Sequence, residues 1–307
     1  MTITEILKRV EDINTKSNYW FVRTEYGTLF EDFVKRNYIA IGWDYITLND
    51  LKKSTEESIK NRLAKKEKID PAIFQGKIKI TATYNKLITF INLKKDDVVV
   101  IPSRNSDRLA FGRIVDNSSY EEVNAKEFIK RRKVEWIKIK QIDDLNTIFY
   151  QVKSNQHTIS NIDRFAPFID REIGNLFKKG ESTHYILDIE KKDEINFDDL
   201  IDLMDNIKIL INEINKDFEF DEKLGEFFIK INVQSKGKFE LIKSGRSLAV
   251  LAYLMFMSSC SNLDNETDTK LQNFIRNNRA TLDKTSLAID SLKINTTELI
   301  KPFKDGQ

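Results

Sequence analysis

Apolar positions in the first half of the chain alternate between helical and strand-like spacing. Residues 2–16 carry apolar side chains at three- and four-residue intervals, which predicts an amphipathic helix that packs on the domain that follows. Residues 19–23 and 38–43 are rich in aromatic and branched side chains and predict strands. Residues 49–66 have the composition of one charged surface helix.

The clearest pattern lies between residues 97 and 139. Residues 97–102 (DVVVIP) and 109–115 (LAFGRIV) predict two strands joined by a polar loop, which makes a hairpin. Residues 132–139 (RKVEWIKI) alternate again and predict a further strand. Several short strands around glycine-marked bends indicate a small barrel or a strongly curved sheet.

The second half combines strands with longer helices. Residues 185–189 and 226–233 predict strands, and a helix opens at Asn196 with Asp198 and Asp199 in its first turn. The apolar stripe of this helix consists of Leu200, Leu203, Ile207, Leu210 and Ile214. Such a stripe buries one helix face, so an α+β arrangement is expected.

The change of pattern, together with a length of 307 residues, predicts two domains and a tail. The first, over residues 1–178, is a curved β-sheet domain with flanking helices that includes the N-terminal helix. A smaller α+β interaction or effector domain follows over residues 181–262. Residues 263–307 form a polar C-terminal tail.

The net charge of +2 hides an asymmetry. Residues 1–180 contain 33 Lys and Arg against 25 Asp and Glu, a balance of +8, and the remainder contains 17 against 23, a balance of −6. A basic half beside an acidic half is typical of a polyanion-binding module joined to an interaction module. Ordinary solvated surfaces produce the same numbers, so both interpretations stay open.

Cysteine and histidine are scarce. With Cys260, His157 and His184 alone, this chain cannot assemble a disulfide framework or a Cys/His zinc site. This usage fits the cytoplasm, and the N-terminus lacks the order of a signal peptide. The longest apolar run, residues 248–257, is shorter than the roughly 20 residues that cross a bilayer, so it predicts a buried helix and no membrane partner.

No catalytic motif is present. The chain lacks a GxxxxGK[ST] phosphate loop, a GxGxxG turn and a GxSxG elbow. Asp188, Glu190 and Lys191 have the spacing of a metal-dependent nuclease, but chance produces it readily in a chain with 32% charged residues. His157 and His184 lack neighbouring partners and are expected on the surface or in hydrogen bonds. We therefore expect no enzyme activity, no cofactor and no metal.

Three tryptophans in predicted strands carry more information. Trp20, Trp43 and Trp136 each lie close to an arginine or a polar loop. A flipped or free base is held by stacking on flat rings, with cations on its phosphate. The competing interpretation is that these tryptophans belong to the core, since tryptophan is mostly buried.

Four segments follow one another in a characteristic order: AIGW (residues 40–43), DVVVIP (97–102), FGRIV (111–115) and RKVEW (132–136). Over residues 18–170, this succession resembles the PUA/EVE-like domain at the start of Mcr- and Mrr-type restriction proteins. Two positions depart from the pattern. Asp96 replaces the usual glycine, and Arg113 stands where glutamate is common.

The resemblance implies a curved sheet with a concave aromatic pocket for a modified base in DNA or RNA. The stacking candidates are Trp20, Trp43 and Trp136. The candidates for edge or phosphate contacts are Arg23, Ser103 and Arg104. The candidate phosphate patch consists of Arg131, Arg132 and Lys133. The nuclease or motor module that usually follows in such proteins is not recognisable in the second half.

Three hypotheses follow. The first is a non-enzymatic reader of a modified or flipped base in DNA or RNA, in phage defence or restriction. The second is an effector that binds a nucleotide messenger and then oligomerises, contacts a membrane or engages a separate protein through its second half. The third is a scaffold whose pocket is vestigial.

Overall fold

The structure is a computed structural model that describes residues 1–190, 195–223, 227–232, 237–259 and 268–295. The chain forms two compact units. The central unit is Lys16–Ile173, and the terminal unit combines Met1–Thr15 with the described residues from Gly174 onward. Both units mix helices and strands, which confirms the predicted α+β class.

The elements are numbered in chain order. The helices are α1 (Ile3–Arg9), α2 (Phe30–Lys35), α3 (Leu48–Lys53), α4 (Glu56–Glu67), α5 (Phe74–Ile91), α6 (Phe149–Lys153), α7 (Ala166–Ile173), α8 (Phe197–Asp217), α9 (Ser247–Ser259), α10 (Thr269–Asn277) and α11 (Arg279–Ser291). The strands are β1 (Glu11–Ile13), β2 (Tyr19–Val22), β3 (Tyr38–Ile41), β4 (Val98–Pro102), β5 (Arg108–Ile114), β6 (Tyr120–Glu121), β7 (Lys130–Gln141), β8 (Ile159–Asn161), β9 (Leu176–Lys179), β10 (Ser182–Ile189), β11 (Phe227–Asn232) and β12 (Gly237–Ser244).

A seven-stranded sheet in the order β3-β7-β5-β4-β2-β8 forms the central unit, with β6 added beside β7. The sheet curls strongly into a half-barrel, as the glycine-marked bends predicted. The predicted hairpin of β4 and β5 is present, and β2 runs parallel to β4. The long β7 pairs with β3 through its first residues and with β5 through the rest.

Gly112 is where β5 and β7 bend. The register between these two strands shifts between Phe111 and Gly112. A Cβ atom at Gly112 would lie 2.6 Å from Val134 Cγ1 and 2.7 Å from Trp136 Cε3. Only glycine permits this approach, and a bulge at such a point increases the local bend of the strand pair.

Both faces of strand β4 are covered. Along β4, Val99 and Ile101 join one hydrophobic cluster, whereas Val98 and Val100 join another. Because successive side chains of a strand point to opposite faces, this division shows that β4 is buried from both sides. The uninterrupted apolar run of β4 has the same cause.

One predicted helix of the central unit is two helices in the structure. Residues 49–66 contain α3 and α4, separated at Ser54 and Thr55. The backbone of Thr55 is extended, and its hydroxyl accepts a hydrogen bond from the Ser58 amide at 3.3 Å. Thr55 therefore caps a new helix, so the single-helix prediction was wrong.

The terminal unit contains a five-stranded sheet in the order β1-β9-β10-β12-β11. The predicted helix over residues 2–16 is α1 followed by β1, and β1 pairs in parallel with β9. Ile6 of α1 joins the core of the terminal unit. The N-terminal segment therefore belongs with residues from Gly174 onward, although the sequence pattern had assigned it to residues 1–178.

Helices α8, α9 and α11 pack together against the core of the terminal unit. The residues from Leu248 to Met255 in α9 are all buried. Helices α10 and α11 lie in the segment predicted to be a polar tail, where Leu271, Phe274 and Leu282 join the same core.

None of the helices in the described ranges is long and apolar enough to cross a bilayer. Cys260 lies outside these ranges.

Candidate functional site

The three tryptophans are half-buried against the core of the central unit. The Trp20 indole N–H donates to Asp97 Oδ2 at 3.1 Å, and that of Trp136 donates to the Phe33 carbonyl at 2.9 Å. Trp43 has a φ of +56°, and the Lys86 ammonium lies 5.9 Å from its ring centroid. None of the three tryptophans lines either of the two cavities described below.

The predicted phosphate patch does not exist as an exposed cluster. The Arg132 guanidinium is fully buried and donates to the carbonyls of Ile91 at 2.9 Å and Asp116 at 2.6 Å. Burial lowers its pKa. Arg131 is buried too, with its guanidinium 4.0 Å from the Tyr38 ring centroid. Only Lys133 of the three is exposed.

A cavity of about 550 Å³ lies elsewhere in the central unit, and we call it the tyrosine cavity. It is lined by Arg23, Glu25, Tyr26, Ala40, Asn105, Ser106, Phe128, Tyr150, Lys153, Ser154, Gln156 and Thr158. Of the predicted site residues, only Arg23 is among them.

Residues from both ends of the curled sheet line the tyrosine cavity. Ala40 lies on β3, at one end of the strand order, and Thr158 directly precedes β8, at the other end. Residues from both ends of the sheet can line one cavity only because the sheet is strongly bent. The lining of the tyrosine cavity therefore draws on residues at both ends of the strand order.

Two loops that meet at Gly27 build one wall. Gly27 has a φ of +86°, and a Cβ atom there would lie 2.2 Å from Arg104 Cα. Any other side chain would push the loop after β2 away from the β4–β5 turn. The Thr24 hydroxyl also joins the two loops, because it donates to the Pro102 carbonyl at 2.5 Å.

Ser103 and Arg104 lie in the β4–β5 turn, but neither lines the cavity. Ser103 is buried, donates to Asp107 and accepts a hydrogen bond from the Arg108 amide at 2.9 Å. Its role is to close the turn. The next two residues, Asn105 and Ser106, have φ values of +59° and +55° and reach the cavity.

Arg23 ties another wall to the sheet. Its Nε donates to the Asn155 carbonyl at 2.8 Å, and a terminal nitrogen donates to Gln156 Oε1 at 3.3 Å. The backbone amide of Arg23 donates to the Thr158 carbonyl at 2.9 Å. Arg23 thus holds the loop before β8 in place at the rim.

Two accessible tyrosine rings dominate the cavity. The Tyr26 side chain is 88% exposed, and that of Tyr150 is 44% exposed. The Tyr150 hydroxyl donates to Asp143 Oδ1 at 2.7 Å, and this bond raises the pKa of the phenol. The Lys153 ammonium lies 4.4 Å from the Tyr150 ring centroid. The cavity therefore offers flat rings, amides, hydroxyls and a cation.

Sequence reasoning missed these tyrosines because it weighed tryptophans alone. One local signal was available. Tyr26 precedes Gly27 in the turn after an aromatic strand, where an exposed ring has no core role. No comparable signal marks Tyr150, which reaches the cavity from a distant helix.

A second hollow, of about 630 Å³, lies in the terminal unit around Glu222. The Glu222 carboxylate accepts hydrogen bonds from Lys243 Nζ at 2.7 Å, from the Ser247 hydroxyl at 2.5 Å, and from the backbone amides of Ser247 and Arg246. This carboxylate caps the N-terminus of α9. Because its acceptor capacity is used within the protein, Glu222 is a structural anchor.

The remaining candidate site residues of the terminal unit have contacts within the protein. His184 Nδ1 lies 2.7 Å from Glu240 Oε1, and its ring stacks on Phe177. Asp188 lies 3.6 Å from the Lys238 ammonium, and Lys191 is outside the described residues. Across the described ranges, no three His, Cys, Asp or Glu side chains come together as metal ligands.

Residues 20–163 match the family model described as a domain of unknown function, DUF8426. No curated protein and no solved structure matches the chain. The matched segment lies within the central unit and contains every residue that lines the tyrosine cavity. This segment of the chain is thus similar to the DUF8426 domains.

Proposed function

We propose that the central unit is a PUA/EVE-like domain that binds a modified or flipped nucleobase of DNA or RNA in the tyrosine cavity. On this proposal the protein is a reader in phage defence or restriction and performs no catalytic step. The supporting observation is a cavity, lined from both ends of a curled sheet, that combines two accessible tyrosine rings with hydrogen-bonding groups. Its volume falls within the range of about 300–1,000 Å³ for small-molecule sites.

The chemistry of the lining suits a base. Tyr26 and Tyr150 provide faces for stacking, which is the contact that every base can make. Asn105 and Thr158 supply donors and acceptors for a base edge. Glu25 accepts hydrogen bonds, and the amino group of adenine, cytosine or guanine can supply them.

The charge of the central unit supports a polyanionic partner. Residues 16–173 contain 29 Lys and Arg and 22 Asp and Glu, a balance of +7. The rest of the chain therefore carries −5, since the total is +2. Attraction of phosphates to such a unit steers nucleic acid toward it before any base is read.

A free nucleotide messenger would fit the same cavity, but the effector step of that alternative would cost the burial of a core helix. That step invoked release of the apolar helix of residues 248–257 when the ligand binds. In the structure, the residues from Leu248 to Met255 form the centre of the terminal core. Their release would expose that core to water.

The proposal is tested by titrating labelled oligonucleotides that carry methylated or hydroxymethylated bases, with plain oligonucleotides in parallel. We expect tighter binding to at least one modified oligonucleotide. We also expect Tyr26→Ala and Tyr150→Ala to weaken that binding by about 5- to 150-fold, which corresponds to about 1–3 kcal/mol per stacked base.

Phe197→Ala is the matched control, because it removes an exposed aromatic ring from the terminal unit. It should leave the affinity unchanged. Equal and weak binding of wild type to all oligonucleotides would contradict the proposal, as would equal losses in the tyrosine variants and the control.

A further inference from the structure

Three large apolar side chains project into solvent at the start of α5. Ile73 is 58% exposed, Phe74 is 77% exposed and Ile78 is 52% exposed. Phe74 and Ile78 are four residues apart and share one helix face, whereas Ile80 and Leu87 face the core. We call Ile73, Phe74 and Ile78 the apolar tip.

The turn that carries the apolar tip is tightly packed. A Cβ atom at Gly76 would lie 2.0 Å from the Asp70 carbonyl oxygen, so the loop after α4 rests directly on the first turn of α5. Asp70 Oδ1 also accepts a hydrogen bond from the Ala72 amide at 2.8 Å. The exposed Phe74 ring and the two isoleucine side chains are therefore presented in a defined position.

Exposed lysines flank the apolar tip. They are Lys65, Lys66 and Lys68 at the end of α4, and Lys77 and Lys79 on α5. Within the part of the chain that the structure describes, none of these five forms an ion pair. By contrast, two other cations of α4 form ion pairs: Lys60 lies 2.6 Å from the Glu56 carboxylate, and Arg62 lies 2.6 Å from that of Asp50.

The α4–α5 pair carries much of the positive charge of the central unit. Residues 56–91 contain eight Lys and Arg against four Asp and Glu, a balance of +4 out of the +7 for residues 16–173. The unpaired lysines lie at the end of α4 and on α5, close in the chain to the apolar tip. The surface is therefore complementary to a partner with anionic groups outside and apolar groups within.

Nucleic acid has this character. Lysines bind phosphates and release counterions, and apolar side chains of architectural proteins wedge between base steps and unstack them. An anionic membrane shares the charge but requires a broad apolar helix face. The α5 helix buries its apolar face in the core and exposes only the tip, which favours nucleic acid.

We propose that the apolar tip and its flanking lysines form a second nucleic-acid contact. In this contact Phe74 and Ile78 insert between bases. The phosphates are contacted by Lys65, Lys66, Lys68, Lys77 and Lys79. This inference rests on the proposed function, because unstacking by the tip lowers the cost of extruding a base for the tyrosine cavity. The tip contact itself reads no base identity.

The experiment compares two double variants of the full chain. Phe74→Ser with Ile78→Ser removes the wedge, and Lys77→Gln with Lys79→Gln removes two phosphate contacts. Leu287→Ser is the control for an exposed apolar residue of the terminal unit. Lys52→Gln with Lys53→Gln is the control for exposed lysines outside the tip. Thermal unfolding verifies that all four fold as wild type does.

Binding to plain oligonucleotides is measured over a series of salt concentrations. The lysine variant should lower the slope of log affinity against log salt by about 1–2, because about 0.7–0.9 counterions are released per phosphate contact. The wedge variant should weaken binding by about 5- to 150-fold with the slope unchanged. Wild type should also raise the fluorescence of 2-aminopurine placed in the oligonucleotide, and the wedge variant should not.

The outcomes separate the two proposals. If tip variants bind as wild type does while Tyr26→Ala still loses discrimination, the tip contact is overturned and base reading stands. If tip variants lose affinity while the tyrosine variants discriminate as wild type does, the tip contact stands and base reading fails. No binding of any oligonucleotide overturns both. A vesicle experiment tests the membrane alternative. If wild type sediments with phosphatidylcholine–phosphatidylglycerol vesicles, and only the wedge variant fails to do so while still binding nucleic acid, the tip contacts a membrane and the inference is overturned.

Discussion

Arg132 and Lys133 are adjacent in β7, yet the side chain of Arg132 is buried and that of Lys133 is exposed. Successive residues of a strand point to opposite faces, so Arg132 enters the interior and Lys133 faces solvent. The Arg132 guanidinium donates to two backbone carbonyls, those of Ile91 and Asp116. At the scale of single residues, a cation in a basic run can therefore belong to the core.

We expect Arg132→Ala to lower the free energy of unfolding of the central unit by about 2–4 kcal/mol, because it leaves the Ile91 and Asp116 carbonyls without this donor. Lys133→Ala should change it by less than about 0.5 kcal/mol. Urea unfolding of both variants measures the difference. If Arg132→Ala folds with wild-type stability but binds nucleic acid more weakly, Arg132 is a phosphate contact after all.

The apolar helix α9 depends on a carboxylate from outside its own sequence. Glu222 lies in the loop after α8 and accepts hydrogen bonds from the first amides of α9, as an N-cap side chain would. Gly245 has a φ of +107°, and a Cβ atom there would lie 2.3 Å from Glu222 Cδ, so glycine makes room for the carboxylate. At the scale of elements, this contact joins α8, β12 and α9.

Burial alone would raise the pKa of Glu222, but hydrogen bonds from Lys243, from Ser247 and from the Arg246 amide outweigh it and lower the pKa below its ordinary 4.5. Near pH 4.5 the unfolded chain therefore binds more protons than the folded one. The stabilisation by Glu222 is full above about pH 4.5 and is lost as pH falls through the lowered folded value.

We expect Glu222→Gln to destabilise the terminal unit by about 1–3 kcal/mol at pH 7. The difference from wild type should shrink as pH falls below 4.5. Unfolding measured between pH 3 and pH 7 for both proteins provides the test. A difference that stays constant over this range would show that the charge of Glu222 does not contribute.

The N-terminal segment joins its unit through residues more than 160 positions away. Strand β1 pairs with β9, in a register that places Glu11 opposite Phe177, and α1 adds the fully buried Ile6 to the terminal core. The central unit is thus an insertion between two parts of the terminal unit. At the scale of the whole molecule, the stability of residues 1–15 is linked to the terminal unit.

We expect Ile6→Ala to lower the unfolding temperature of the terminal unit alone, with a loss of about 2–5 kcal/mol, since a buried isoleucine is removed from a packed core. Leu87→Ala, which deletes a fully buried side chain of the central core, should lower the other transition. Calorimetry resolves the two. A single transition, or a shift of the same transition by both variants, would contradict this assignment.

Local patterns identified most of the strands and the main helix. The alternation of residues 97–115 predicted the β4–β5 hairpin, and Asn196 caps α8 as expected, with its side chain accepting a hydrogen bond from the Asp198 amide. These features depend on side chains a few positions apart, so a short stretch of sequence contains their cause. The curved sheet followed from the same strands and their glycines.

The sequence by itself determined the α+β class, the hairpin, the curl of the central sheet and the excess of positive charge, because these follow from periodicity, from glycine and from composition. Only the tertiary structure decided that β1 pairs with β9, that Arg132 is buried, and that Tyr26 and Tyr150 share one cavity. Each of those facts joins residues far apart in the chain. Local patterns do not specify such contacts, because packing and strand register select them when the whole unit folds.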